Sequence, residues 1–206
     1  MFNPRILAQG QRWAVIHKPP NWSVSKSKSC PSLVELYQAV EDSDVIFPLR
    51  MDTEATGLTI MCRDKGMAAQ ISRHIQGSRV RRSYRFLCQQ HKDPESTPCP
   101  QDSATATYPA WLLDHLRIND YESPASSSDI IKDVQLVDIV KGRSSEIRSL
   151  LSHQNLSVLS TPSGWKCMQL FKLSFPDPMT PSGQEFEIEV EMPAEWIPTG
   201  APVVVP

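Results

Sequence analysis

An arginine and an aspartate lie two residues apart in a turn-like segment that leads into a short apolar run. Arg50 and Asp52 precede residues 57–62, which have the length and composition of a buried strand. The end of a rigid sheet can present such a side chain to a pocket. The residues alone leave two interpretations open: Asp52 caps the backbone of its own turn, or it is a carboxylate that acts as a nucleophile or a base.

A second group of candidates is a stretch in which four arginines surround one tyrosine: Arg79, Arg81, Arg82, Tyr84 and Arg85. Guanidinium groups bind phosphates and an aromatic ring can stack on a base, so this composition is typical of a nucleic-acid contact. A solvated strand edge has the same composition and remains the alternative. The stretch lies in the basic half of the chain, because residues 1–90 contain 13 Lys and Arg against 7 Asp and Glu, whereas residues 91–206 contain 8 against 16.

The elements that must position these side chains can be read from the hydrophobic periodicity. We expect strands near residues 13–16, 57–62, 80–88, 134–140, 167–175 and 186–192, and helices that begin near Ser32, Asp64 and Ser144. Residues 91–107 and 119–129 are rich in Pro, Ser, Thr and acidic side chains, which indicates loop insertions. The pattern predicts one α+β domain over residues 1–206, with a mixed, mainly antiparallel sheet and few flanking helices.

The composition of the chain excludes a membrane span and leaves the compartment open. Charged or proline residues break every hydrophobic run before the roughly 18 residues that a span requires. Basic residues precede the first acidic residue, Glu35, as they do in transit peptides, but residues 13–16 have the pattern of a core strand. We expect a soluble intracellular protein, in the cytoplasm or in an organelle such as the mitochondrion.

The cysteines and histidines predict no metal site. The five cysteines are widely spaced, without a C-x-x-C pair, and the five histidines show no ligand spacing. Reduced, mostly buried thiols are the expected state of the cysteines. We therefore expect chemistry without a metal ion.

Around Asp52 the sequence resembles a known family. Residues 50–58 read R-M-D-T-E-A-T-G-L and resemble the R-L-D-x-x-T-S-G-L signature of RluA-type pseudouridine synthases, with matches at Arg50, Asp52, Gly57 and Leu58. Further segments resemble the family's motifs in the same order along the chain. Residues 16–22 resemble N-K-P-x-G, residues 80–84 resemble V-x-K-x-Y, residues 142–151 resemble G-R-T-H-Q-I-R-x-H-L, and residues 173–196 resemble L-x-F-x-H-P, G and P-x-x-W.

The resemblance, which covers nearly the whole chain, implies an enzyme that isomerises uridine to pseudouridine in structured RNA without a cofactor. It implies that Asp52 is the catalytic aspartate, that Arg148 pairs with it, and that Tyr84 stacks on the target uracil, with its ring lining the same cleft. Leu151 corresponds to an apolar pocket residue, and Arg50 to the arginine that holds the RNA after the base has left the stack.

The same resemblance implies an RNA partner and gives the basic stretch a role. Contacts to the RNA backbone are expected from Arg79, Arg81, Arg82 and Arg85. Ribosomal RNA, within a ribosomal subunit or an assembly intermediate, is the favoured substrate, and transfer RNA is the second choice.

The sequence departs from the family's pattern at several positions. Ser145 and Glu146 replace a His-Gln pair, Ala55 replaces a threonine, and residues 160–164 stand where a G-D-x-x-Y-G segment is expected. These changes support a second hypothesis, an RNA-binding or ribosome-assembly factor that keeps the fold and has lost turnover. A third hypothesis, an unrelated hydrolase, needs a second carboxylate in the same pocket, which the spacing of the acidic residues does not require.

Overall fold

The computed structural model describes residues 3–90, 116–120, 134–139, 144–154, 156–161, 163–180, 183–193 and 196. The strands are β1 (Arg5–Gln9), β2 (Trp13–Lys18), β3 (Thr56–Cys62), β4 (Arg81–Gln90), β5 (Leu116–Asp120), β6 (Val134–Ile139), β7 (Leu156–Val158), β8 (Met168–Pro176) and β9 (Glu185–Glu189). The helices are α1 (Leu33–Glu41), α2 (Lys65–Gln76) and α3 (Ser144–His153). The predicted insertion at 91–107 lies outside the described residues, as does 121–129, while residues 119 and 120 end β5.

The strands form a mixed sheet in the order β1-β2-β3-β8-β4-β6-β5. Outside this path, β7 pairs with β4 and β9 pairs with β8. Every pairing of the described strands is antiparallel except that of β3 with β8, which is parallel. The predicted α+β fold, with a mainly antiparallel sheet and few flanking helices, is confirmed.

Capping side chains determine where the first two helices begin. The Ser32 hydroxyl accepts a hydrogen bond from the Glu35 N–H at 3.3 Å, and the Asp64 carboxylate accepts one from the Met67 N–H at 2.9 Å. Asp64 also accepts a hydrogen bond from Arg12 Nε at 2.7 Å, which ties the start of α2 to the connection between β1 and β2. No helix in the described part of the chain is long and apolar enough to span a membrane.

The two faces of the sheet are covered differently. On the face that we call the front face, side chains of β2, β3, β4 and β8 pack with α2 and α3 in the largest hydrophobic cluster. On the opposite face, the back face, α1 covers β2 and β3 through a second cluster that includes Leu33 and Tyr37. A third cluster on the back face surrounds Trp165 and Cys167.

A short parallel contact between β3 and β8 joins the two halves of the sheet. Its register pairs Thr56 with Gln169 and Gly57 with Leu170. Gly57 has a φ of +118°, where L side chains are rarely found. A Cβ at this position would overlap the Leu170 carbonyl oxygen and lie 2.7 Å from the Leu170 nitrogen. The two strands can approach this closely because residue 57 has no side chain.

A buried lysine at the end of β2 connects two loops. Lys18 is fully buried, and its Nζ donates hydrogen bonds to the carbonyl oxygens of Pro19 at 3.1 Å, Trp22 at 2.9 Å, Thr53 at 3.0 Å, and Ala55. Burial lowers the pKa of Lys18 to about 7, against the opposing effects of Cys30 and Asp52. The four carbonyl acceptors favour the protonated amine, which has three hydrogens to donate. Lys18 thereby holds residues 19–22 against residues 53–55.

We expect Gly57→Ala to lower the free energy of unfolding by about 3 kcal/mol or more. Strain at positive φ costs about 1–2 kcal/mol, and overlap with the β8 backbone adds about 1–3 kcal/mol. Gly183→Ala is the matched control, because Gly183 also has a positive φ, +61°, and a Cβ there meets open space. Denaturant unfolding followed by circular dichroism measures both variants. Equal losses would contradict the role of Gly57 in the β3–β8 approach.

Replacing Lys18 by methionine tests the loop connection. Lys18→Met keeps an unbranched side chain and removes all four hydrogen bonds, so we expect a loss of about 3 kcal/mol in the free energy of unfolding as buried carbonyls lose their donor. Lys26→Met, at an exposed position, should change it by less than about 0.5 kcal/mol. The same unfolding assay measures both, and a Lys18 variant as stable as wild type would rule out a structural role for this ammonium.

Candidate active site

Buried anchors on both sides hold the loop that contains Asp52. Leu49 and Ala55 are each 2% exposed and belong to the main core, and the Leu49 carbonyl accepts a hydrogen bond from the Thr59 hydroxyl at 3.1 Å. The Asp52 carbonyl accepts from the Ala55 N–H at 3.2 Å, which closes a turn. Lys18 also donates hydrogen bonds to the carbonyl oxygens of Thr53 and Ala55. Together these contacts give the carboxylate a defined position just before β3.

Asp52 forms an ion pair with Arg148 across a long separation in sequence. The Asp52 Oδ2 atom lies 3.1 Å from an Arg148 guanidinium nitrogen, and the two side chains are 32% and 45% exposed. Arg148 is held on α3, whose Ile147, Leu150 and Leu151 are buried against the sheet. The helical period that buries these three residues leaves Arg148 exposed. From this position its guanidinium reaches the Asp52 loop.

The Asp52 carboxylate keeps unused hydrogen-bonding capacity. Its Oδ2 atom is buried, and among the described residues it accepts no hydrogen bond, because the approach of Arg148 is short but does not have hydrogen-bond geometry. In the same residues we find no bond from this carboxylate to the backbone of its own turn. The capping interpretation of Asp52 is therefore not supported, and its buried Oδ2 atom has no hydrogen-bond donor in the described part of the chain.

The two partners of the ion pair line two different clefts. The first, with a volume of about 320 Å³, is lined by Ser23, Val24, Ser25, Arg50, Met51, Asp52 and Thr53. The second, about 240 Å³, is lined by Arg148, Leu151, Ser152, Leu156, Ser157, Val158, Lys166 and Met168. The first cleft is polar, whereas the second has an apolar floor, so they suit different parts of one ligand.

Tyr84 lies buried on the front face of β4, in the same hydrophobic cluster as Leu151 of α3. It is 4% exposed and lines neither cleft. Burial raises the pKa of its phenol, while Arg82 lowers it and Asp52 raises it. The phenol is therefore neutral at physiological pH. The structure brings Asp52 and Arg148 together, but it buries Tyr84 in the core, so the expected position of the Tyr84 ring in the lining of their cleft is not found.

The four arginines of the basic stretch do not share one surface. Arg82 projects on the same face as Tyr84, whereas Arg81 and Arg85 point to the back face because side chains alternate along a strand. Arg81 lies 3.9 Å from Glu185, and the guanidinium of Arg85 is 4.0 Å from the centre of the Phe171 ring. Arg79 precedes β4 and is exposed in the turn after α2.

Another, larger cavity does not include this chemistry. It measures about 660 Å³, and its lining residues are Asn3, Arg5, Leu7, His17, Pro19, Pro20, Thr56, Trp165, Gln169, Val190, Glu191, Met192 and Pro193. None of Asp52, Tyr84 or Arg148 lines it. Size alone therefore does not identify the site, and the ion pair with its two clefts is the better candidate. Among the described residues, no group of three or more His, Cys, Asp or Glu side chains could hold a metal ion.

Sequence reasoning missed two functional candidates. Lys18 belongs to the segment that resembles N-K-P-x-G, so the motif indicated its importance, but its carbonyl partners follow from the path of two loops. Lys166 lines the second cleft, and no sequence signal distinguished it from other lysines. Trp165 and Cys167 are buried, so the alternation of side chains in extended backbone could have placed Lys166 on the opposite side of the segment that leads into β8.

Solved structures show where this fold occurs. The chain is similar to human RNA pseudouridylate synthase domain containing 4, with a TM-score of 0.61 and 15% identity over 92% of this chain and 88% of that chain. It is also similar to human RNA pseudouridylate synthase domain containing 1, with a TM-score of 0.58 and 13% identity over 92% and 83% of the two chains. At this identity the likeness shows the fold. No curated protein sequence matches the chain significantly.

A family model extends the likeness from fold to family. The model described as RNA pseudouridylate synthase matches residues 12–153, which include the Asp52 loop, Tyr84 and all of α3. The match spans more than half of the chain and agrees with the motif order around Asp52. The chain belongs to the RNA pseudouridylate synthase family.

Proposed function

We propose that this chain isomerises uridine to pseudouridine in structured RNA, with ribosomal RNA as the favoured substrate and Asp52 as the catalytic carboxylate. The observation that carries the proposal is the ion pair of Asp52 with Arg148 at 3.1 Å, in which the buried Oδ2 atom has no hydrogen-bond donor among the described residues. Arg148 balances the charge of the carboxylate in a partly buried site. A carboxylate held in this way can attack or deprotonate a bound substrate.

The reaction rearranges bonds within one nucleotide and adds or removes no atom. The bond from the sugar to the uracil nitrogen breaks, the detached uracil rotates in place, and a ring carbon bonds to the same sugar carbon. The ring carbon gives up its proton during the rearrangement and the nitrogen that left the sugar takes up a proton, so the composition of the nucleotide is unchanged. Asp52 serves as the nucleophile or the base of these steps, and the chemistry needs no redox partner.

The second cleft is suited to hold the detached uracil. Its floor includes Leu151, Leu156 and Met168, all nearly inaccessible to solvent, and Tyr84 lies in the same hydrophobic cluster. Apolar walls restrain a planar ring while permitting it to rotate. A uracil in this cleft lies beside Arg148 and therefore beside the Asp52 carboxylate.

The first cleft is suited to the RNA strand from which the base has been extruded. Arg50 lines it, and the hydroxyls of Ser23 and Ser25 are near. The exposed Lys26 and Lys28 continue the same segment. Extruding a base costs a few kcal/mol, which contacts of these side chains with phosphates offset.

Replacing the carboxylate tests the catalytic role directly. We expect Asp52→Asn to reduce pseudouridine formation by at least about 10³-fold, the scale of losing a nucleophile or general base, with little change in RNA binding. Glu54→Gln removes the same charge two residues away and should retain activity. Pseudouridine mapping of total RNA from cells that carry each variant measures the effect and identifies the substrate. An unchanged map with disturbed ribosome assembly would instead support the non-catalytic RNA-binding factor.

Arg81 and Arg82 lie on opposite faces of β4, so replacing each in turn tests which face contacts RNA. We expect Arg82→Gln, on the Tyr84 face, to weaken RNA binding several-fold and to lower the slope of log affinity against log salt by about 1. Arg81→Gln, on the back face, should leave both close to wild type. Titrations of an RNA stem-loop at several salt concentrations measure both variants. Equal losses would indicate that RNA also contacts the back face.

A further inference from the structure

The second cleft contains a positive charge, on Lys166, that no carboxylate among the described residues balances. Arg148 is paired with Asp52, but Lys166 forms no ion pair within the described part of the chain. Its Nζ contacts the hydroxyl of exposed Ser160 at 3.1 Å. No carboxylate is among the residues that line the cleft. The cleft thus combines an apolar floor with an unbalanced cation, a combination that suits a ligand with an anionic group and an apolar body.

The fold directs Lys166 into this cleft. Lys166 is bridged to Ser160 across a turn, in which the Thr161 N–H donates to the Trp165 carbonyl at 2.9 Å. Trp165 and Cys167, the residues on either side of Lys166, are buried in the third cluster on the back face. Alternation therefore sends Lys166 toward the front face, as it does Met168, and its half-exposed side chain lies at the rim.

We propose that Lys166 binds the phosphodiester of the RNA nucleotide whose base enters the second cleft. The inference rests on the proposed function, because it takes RNA as the ligand. A nucleotide has an uncharged planar base and an anionic phosphate, so the apolar floor accepts the base while the ammonium at the rim meets the phosphate. Residues 160–164 stand where the family has a G-D-x-x-Y-G segment, and Lys166 lies two residues after them. Lys166 therefore places a cation next to the position of the missing motif.

The test compares two lysines of the same region with opposite orientations. Lys166→Gln and Lys166→Met remove the charge and keep the aliphatic stem, and Lys166→Arg keeps the charge. Lys172→Gln is the matched control, because the Lys172 ammonium lies 2.8 Å from Glu187 and 3.8 Å from Glu189, away from the cleft. The full chain is titrated with an RNA stem-loop that has a uridine-rich loop, at several salt concentrations.

We expect both uncharged Lys166 variants to bind this RNA about tenfold more weakly, with the slope of log affinity against log salt lowered by about 1. Lys166→Arg and Lys172→Gln should resemble wild type. With the mapped RNA substrate, Lys166→Gln should raise KM about tenfold and change kcat by less than about twofold. The KM effect distinguishes a phosphate contact from a structural role, which would also lower kcat.

The outcomes separate this subsite from the proposed function. Failure of the wild-type chain to bind RNA, together with an unchanged pseudouridine map for Asp52→Asn, would overturn both. Salt-dependent binding that is unchanged by Lys166→Gln and Lys166→Met would overturn the subsite alone. Equal losses in the Lys166 and Lys172 variants would also overturn it, because they would show a general charge effect.

Discussion

The parallel contact between β3 and β8 assembles the site from two halves of the sheet. The Asp52 loop belongs to the half formed by β1, β2 and β3, whereas Tyr84 and Lys166 belong to the half built on β4 and β8. Two register pairs join these halves, and one of them requires Gly57 to lie directly against the Leu170 backbone. A small change in this distance would move the carboxylate relative to the groups that it must meet, because protein interiors transmit strain.

Lys18 is the second group that positions the Asp52 loop, in addition to the β3–β8 contact. Two of its four carbonyl partners, Thr53 and Ala55, lie within three residues after Asp52, so the ammonium holds the backbone of the Asp52 loop. A buried ammonium is costly unless its hydrogens are satisfied, which makes the loop conformation and the charge depend on each other. The lysine of the segment that resembles N-K-P-x-G therefore has a physical role: Lys18 is a cation that binds the carbonyl oxygens of two loops, one of which contains Asp52.

The charges of the molecule are arranged by face rather than by sequence region. The basic stretch around β4 is divided, with Arg82 near Tyr84 and the other strand arginines on the back face near Glu185 or Phe171. Cations at the two clefts come from distant segments: Arg50 from the loop before β3, Arg148 from α3, and Lys166 from the turn before β8. RNA bound across both clefts would therefore meet cations that converge only after folding.

The sequence by itself determined the local features of this protein. Alternation identified the faces of β4 and β9, capping residues identified the starts of α1 and α2, and the motif around Asp52 identified the family, because these signals lie within a few neighbouring residues. Strand β1 was missed, since this edge strand is exposed on most of its length and lacks a clear apolar period.

Only the tertiary structure decided which distant groups meet. The pairing of Asp52 with Arg148 had been expected from family resemblance, but its 3.1 Å distance and the unused acceptor on Oδ2 depend on how α3 packs. The carbonyl partners of Lys18 and the exposure of Lys166 toward the second cleft likewise depend on loop paths and strand register. Register and packing join segments far apart in sequence, and no local pattern in one chain specifies those contacts.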